Sequence, residues 1–379
     1  MKAVNYQRLT GNQSVSFDSL RGVSALLVVA SHCVQFFFLP TNPEYHKYVA
    51  MVSQSSVMLF FVMSGFLITK SITGNISKNG NLDLNDFFVK RFARIYPPLI
   101  ASFVLVAVIV TFLHISGMPM SDLKGIPKQY SFSDFAISYL PSFMFLNGFL
   151  GNFKDIIHGN IGATFINLGV YPSSNAPLWS LSIEVWYYVV AGLAFSGKAK
   201  NVILSIAVAY IGYRLNGPFF MFSIVWIAGS ICCLMHDGVL KINTITRLLL
   251  TLLSCIYLFN CTYYLLTEYS SQNLNKFNVA SGLFFAVMIW NLFIVKNIRL
   301  RILPSSAKYS YTLYITHFPV VMCIYTISLV FNIDTLYAVV ISFISSVLLA
   351  SWLARYVENV EFFISRLRVL INAYKSKRA

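Results

Sequence analysis

The first residue in this chain that chemistry could use is a histidine in the middle of an apolar run. His32 lies in VSALLVVASHCVQFFFL, and hydrocarbon offers an imidazole no partner, so the protein must supply one. Arg21 precedes it by eleven residues, about three turns, so on one helix the two side chains share a face roughly 16 Å apart. A cation at one end and a potential general base at the other suit an elongated anionic ligand. Arg21 alone also fits an ordinary anchor at the inner membrane face.

Three further places carry ionisable groups where lipid is expected. Arg91 and Arg94 in DFFVKRFARIYPP are three apart and share a helix face. Paired guanidinium groups suit bidentate phosphate recognition, although basic interfacial helices also occur as plain anchors. Glu184, in APLWSLSIEVWYYVV, falls roughly 9 Å inside its span, and His32 roughly 10 Å below the outer end of its own. Equal depth allows a carboxylate to orient the imidazole, and allows no more than that. His317, in YSYTLYITHFPV, is also near mid-membrane.

The elements that must hold these residues are apolar helices. Of 379 residues 57% are hydrophobic and only 11% charged, with a mean hydropathy of +0.68. Soluble domains carry about 25% charged residues, so lipid is the solvent for much of the chain. Ten segments are expected to span, at about 22–40, 50–70, 97–117, 178–195, 200–215, 218–236, 246–267, 278–296, 309–331 and 335–356, the fifth being the weakest. The stretch 135–150, interrupted by Pro141, Asn147 and Gly148, reads as a re-entrant or interfacial piece of a long loop, 118–177, that caps the outer side. The basic segment before the third span is expected to lie in the interface and turn upward at Pro97 and Pro98. Residues 1–356 form one integral membrane domain, and 357–379 a basic cytoplasmic tail that reads as an amphipathic helix.

Orientation follows from charge. With both termini in the cytoplasm, of the 28 Lys and Arg residues only Lys47, Lys124, Lys128, Lys154, Arg214 and Lys276 face outward, as the positive-inside rule requires. The net charge of +15 therefore belongs to the inner membrane surface, since no polar domain exists to display a nucleic-acid patch. The six cysteines form no C-x-x-C pair and no Cys/His cluster spaced for zinc, so buried free thiols and no metal are expected. Residues 1–20 contain no apolar core, so no cleavable signal is expected.

These segments resemble the acyltransferase-3 family, bacterial inner-membrane enzymes that acylate cell-surface glycans. FDSLRGVSALLVVASH is similar to its opening signature, FFVMSGFLI and KRFARIYP to the next blocks, and PLWSLSIEVWYY and SYTLYITHFPV to the later ones. They occur in family order over about residues 17–320. The resemblance implies an acyl-CoA donor, usually acetyl-CoA, used as a substrate rather than as a tightly bound cofactor. It implies a glycan or lipid-linked sugar hydroxyl as acceptor, on the far side of the bilayer. His32 matches the essential histidine, Arg21, Arg91 and Arg94 the basic residues of donor handling, and Glu184 the acidic position. Asp18, Trp179, Ser182, Tyr314 and His317 fall in the same blocks and are expected to line the site. Some relatives carry an added hydrolase-like domain, which this chain is expected to lack.

On this reading His32 is a general base, with Glu184 its orienting partner, or else carries the acyl group itself. Intramembrane His and Glu also suit a proton-coupled carrier of sugars or lipid-linked glycans, although no repeat of paired broken helices is visible. A non-catalytic partner of a polysaccharide assembly complex is a third reading. Neither the acceptor nor the oligomeric state is legible.

Overall fold

A computed structural model describes residues 6–118, 120–121, 127–128, 139–149 and 175–376. Its helices are α1 (Gly11–Phe37), α2 (His46–Asn79), α3 (Leu84–Ile115), α4 (Leu178–Ala194), α5 (Ala199–Leu215), α6 (Gly217–His236), α7 (Thr244–Thr267), α8 (Ser271–Met288), α9 (Ser310–Phe331), α10 (Thr335–Val357) and α11 (Val360–Ser376). A π-helical stretch, Ile289–Val295, continues α8. The strands Met120–Ser121 and Pro127–Lys128 pair antiparallel.

Among the described residues, eight helical segments are long and apolar enough to cross a membrane. The other two segments expected to span are the helices α4 and α5, of 17 residues each. At 1.5 Å per residue each is about 26 Å long, a little short of a ~30 Å hydrocarbon core. The all-helical, multi-pass architecture is therefore as expected.

Several boundaries move. Helix α1 starts at Gly11, not near 22, because Thr10 and Gln13 close a capping box there. Apolar windows record where lipid is, whereas caps record where helices end. Helix α3 corrects a second expectation: the basic segment and the third span are one continuous helix with Pro97 and Pro98 inside it. Two prolines forfeit two intrahelical bonds, and neighbouring helices make such a stretch tolerable in membranes. Tyr311 of α9 reaches it, donating to the Ile95 carbonyl at 3.3 Å.

The tail is helical, as expected, and it docks. Arg368 of α11 donates to Asp86 in the first turn of α3 at 2.7 Å. Most of the expected outer cap lies outside the described residues. Of the stretch 135–150, residues 139–149 are described, and they pack on protein. Trp186 donates to the Phe145 carbonyl at 2.9 Å and Asn216 to that of Gly148 at 3.3 Å.

Lys70, one of the basic residues that the charge pattern assigns to the inner face, is buried. It pairs with Asp237 and lies 2.9 Å from Nδ1 of His236, while Thr73 donates to Asp237 at 2.8 Å. His236 in turn contacts Gln13 at 3.2 Å, tying α1 to the ends of α2 and α6. All six cysteines are free, but Cys255 on α7 is exposed and Cys323 partly so. A small apolar thiol tolerates a lipid-facing position, so burial was not required of it.

Helix α2 is the hub, packing on α1, α6 and α8, and α9 packs on α1, α3 and α10. Membrane helices approach closely only over small residues. A Cβ on Gly229 would lie 2.0 Å from the Val62 carbonyl oxygen, and one on Gly65 2.0 Å from that of Trp226. The α2–α6 crossing is thus backbone on backbone. Gly229→Val is expected to destabilise by about 1–3 kcal/mol or more, read as a fall in Tm of the detergent-solubilised protein. Gly11→Ala, with nothing within 4 Å, is the control that leaves Tm in place; equal Tm for both variants would contradict the packing.

Candidate active site between α1, α2, α3, α4 and α9

The arginines expected to handle an anion converge on one cavity of about 320 Å³. Arg21 reaches it from α1, Arg91 and Arg94 from α3, Ser180 and Glu184 from α4, and Tyr314 from α9. Arg21 gets there because α1 lies almost on the turn before α9. A Cβ on Gly22 would fall 1.9 Å from Ser306 Oγ. The Arg21 guanidinium donates to the Ala307 carbonyl at 3.1 Å and lies 3.6 Å from Asp18. Arg91 donates to Ser71 at 3.1 Å and packs over Phe87 at 5.7 Å.

In both arginines Nε is buried and has no hydrogen-bond partner among the described residues. A buried guanidinium N–H without an acceptor is costly. Two of them at one cavity leave it with unused N–H donors on its wall. Arg94 is exposed and also lines a second, more open cavity of about 610 Å³, shared with Arg21.

Glu184 belongs to the arginine cavity, not to His32. Its carboxylate accepts from Tyr188 Oη, which Ser64 contacts at 3.4 Å; Trp226 donates to Ser64 at 3.2 Å. The pairing expected from equal depth is therefore corrected: depth fixes one coordinate, and the helix faces differ. His32 finds its partner within α1, where Nδ1 meets Gln35 Oε1 at 2.7 Å. An amide oxygen only accepts, so with that assignment Nδ1 carries the proton and Nε2 the lone pair.

Across from His32 stands His317, with ring centroids 5.2 Å apart and planes tilted by 30°, while Phe318 meets it edge-on at 5.2 Å. His317 Nδ1 donates to the Leu313 carbonyl at 3.0 Å, and its Nε2 is buried without a partner. Tyr314 links the two regions. Its hydroxyl lies 2.5 Å from that of Ser180 on the cavity wall, and its ring centroid is 6.1 Å from that of His317.

The structure thus brings Arg21, Arg91, Arg94, Glu184 and Tyr314 together, with His317 and His32 beyond Tyr314. Two residues expected at the site are elsewhere. Ser182 is spent on its own helix, donating to Leu178 at 3.2 Å, and Trp179 packs on Phe222 at 5.9 Å. Each points from α4 away from the face that carries Ser180 and Glu184. Asp18 stands beside Arg21 without lining the cavity. Sequence reasoning missed Gln35, Ser180 and Tyr188, though each was signalled by spacing. Gln35 follows His32 by three residues, and Ser180 and Tyr188 flank Glu184 by four.

Comparison with known proteins places the chain in a family. The acyltransferase domain that defines the acyltransferase-3 family matches residues 14–355. Over 218 residues, 57% of the chain, it is 27% identical to the peptidoglycan O-acetyltransferase OatA of Listeria monocytogenes serovar 1/2a, and covers 29% of that protein. Over 233 residues, again 57% of the chain, it is 27% identical to the O-acetyl transferase of Shigella phage Sf6, and covers 58% of it. The chain thus covers less than two thirds of either relative. No solved structure matches it. The chain belongs to the acyltransferase-3 family, and its acyltransferase domain is built from helices long and apolar enough to cross a membrane.

Proposed function

We propose that the enzyme moves an acetyl group from cytoplasmic acetyl-CoA to a hydroxyl of a cell-surface glycan, such as O-antigen or exopolysaccharide, across the bacterial inner membrane. In this reading ten helices span, both termini are cytoplasmic, and the arginine cavity opens inward. The observation that carries it is the pair of partnerless guanidinium Nε atoms, on Arg21 and Arg91, at a cavity that ends against Tyr314. Phosphate oxygens would satisfy both through charge-assisted bonds. The names of the two relatives support O-acetyl transfer as the reaction.

The donor's phosphates bind Arg21, Arg91 and Arg94, and its arm runs outward past Ser180 and Tyr314 toward His32. Arg21 and His32 are about 16 Å apart along α1, so the charged end stays low while the thioester reaches the imidazole. His32 Nε2 takes the proton of the acceptor hydroxyl as that oxygen attacks the thioester carbonyl. The C–S bond then breaks, and the proton passes to the departing thiolate. The products are an acetyl ester and free CoA. Gln35 holds the ring in the tautomer this requires, and Glu184 steadies the arginines from the α4 side.

His32→Ala, inserted normally, is expected to lower transfer by at least about a hundredfold. The assay is radiolabel passing from acetyl-CoA to glycan, and undiminished transfer would remove His32 from the chemistry. Replacing Arg91 and Arg94 together by Ala should raise the KM for acetyl-CoA by roughly tenfold or more. A change confined to the acceptor KM would contradict the phosphate assignment. Gln35→Leu should lower kcat by about tenfold with the donor KM unchanged, since one orienting hydrogen bond is lost. A kcat equal to the wild type would give that orienting role to another group. At the level of the cell, loss of the protein should remove an ester from the surface glycan.

A further inference from the structure

The more open cavity has no part in the chemistry above, yet its lining is strongly basic. Arg21, Arg94, Lys308 and Arg355 face it, against one carboxylate, Glu358. That carboxylate is already engaged: its Oε1 accepts from the Thr312 backbone N–H at 2.9 Å and from the Thr312 hydroxyl at 2.6 Å. Lys308 and Arg355 are exposed, and neither forms an ion pair or hydrogen bond among the described residues. Ser305, Ser351 and Asn359 add neutral donors and acceptors.

Arg21 and Arg94 line both cavities and so form the neck between them. A ligand occupying both cavities meets Lys308 and Arg355 in the more open one, Arg21 and Arg94 where the two adjoin, and in the other Arg91 together with apolar walls such as Phe60, Phe61 and Leu67. Negative charge is therefore wanted at two successive levels, with an uncharged arm beyond. Resting on the donor assigned above, we infer that the outer cavity is the nucleotide subsite. Lys308 and Arg355 bind the phosphate monoester on the donor's ribose, and the neck arginines hold its diphosphate. The pair sets the enzyme's preference for CoA over donors that lack this group. A phosphate monoester or diester could also come from an anionic lipid headgroup, which the same two cations would attract.

Binding of coenzyme A and of 3′-dephospho-coenzyme A to the full chain in phosphatidylcholine nanodiscs separates these cases and needs no acceptor. The wild type should bind coenzyme A at least about tenfold more tightly, two charge-assisted contacts being at stake. In the Lys308→Ala/Arg355→Ala variant the two ligands should bind alike, with dephospho-coenzyme A held as by the wild type. Equal affinities in the wild type, or a preference that survives in the variant, would overturn the subsite and leave the donor assignment intact. A variant that keeps the preference but retains less phosphatidylglycerol on purification would assign the two cations to lipid instead. Binding of neither ligand by the wild type would overturn the donor assignment, and the subsite with it.

Discussion

Charge buried without a partner is the constraint around which this molecule is arranged. Taking a guanidinium out of water costs several kcal/mol unless hydrogen bonds and opposite charge replace the lost hydration. The protein replaces only part of it. Arg21 has one carbonyl and a distant carboxylate, and Arg91 has one serine, so an N–H on each is left over. Glu184 shares the cavity and is itself tied to Tyr188. A structure optimised for stability alone would have closed this space with leucine. Its persistence is what the proposed phosphate site requires of the unliganded protein.

The rest of the fold can be understood as the means of holding that site. Glycines let backbones touch where side chains would have kept them apart. Gly65 and Gly229 bring α2 onto α6, and Gly22 brings α1 onto the approach to α9. The last contact also sets register. Arg21 meets Ala307, and eleven residues further along α1 His32 meets His317 and Phe318. Nearly equal spacing on both segments means that α1 and α9 run side by side in the same direction. One helix pair thus carries both the cationic end and the imidazole end.

Much of this was legible in the sequence, because lipid punishes polar residues so heavily that those remaining are informative. The apolar windows fall on ten of the described helices, and the spacing of Arg21 with His32 and of Arg91 with Arg94 picked out three arginines that line one cavity. What was not legible depended on rotation about helix axes. Glu184 and His32 share a depth but face different neighbours, and Ser182 points away while Ser180, two residues earlier, faces in. The partners that sequence could have supplied, Gln35 and Tyr188, sit one turn from the residues they serve. They were missed because amides and phenols carry no alarm at a mid-membrane position. Helix ends were missed for another reason: hydropathy reports the solvent, not the caps.

The two imidazoles restrict how the proposed chemistry can run. A carbonyl oxygen can only accept, so the His317 Nδ1 that contacts Leu313 must hold its proton, and the neutral ring then carries its lone pair on Nε2. The Gln35 oxygen imposes the same tautomer on His32. Each ring therefore presents a basic nitrogen without prior proton shuffling. A ring tilted against a second imidazole and edged by Phe318 is poor ground for a lasting cation, since neither neighbour carries opposite charge. A proton taken by His32 in the proposed reaction would thus be handed on quickly, and the thiolate produced in the same step is the group positioned to receive it. Nearby carboxylate would have trapped that proton as an ion pair. Placing Glu184 with the arginines, away from the imidazole, would leave the proposed base free to turn over.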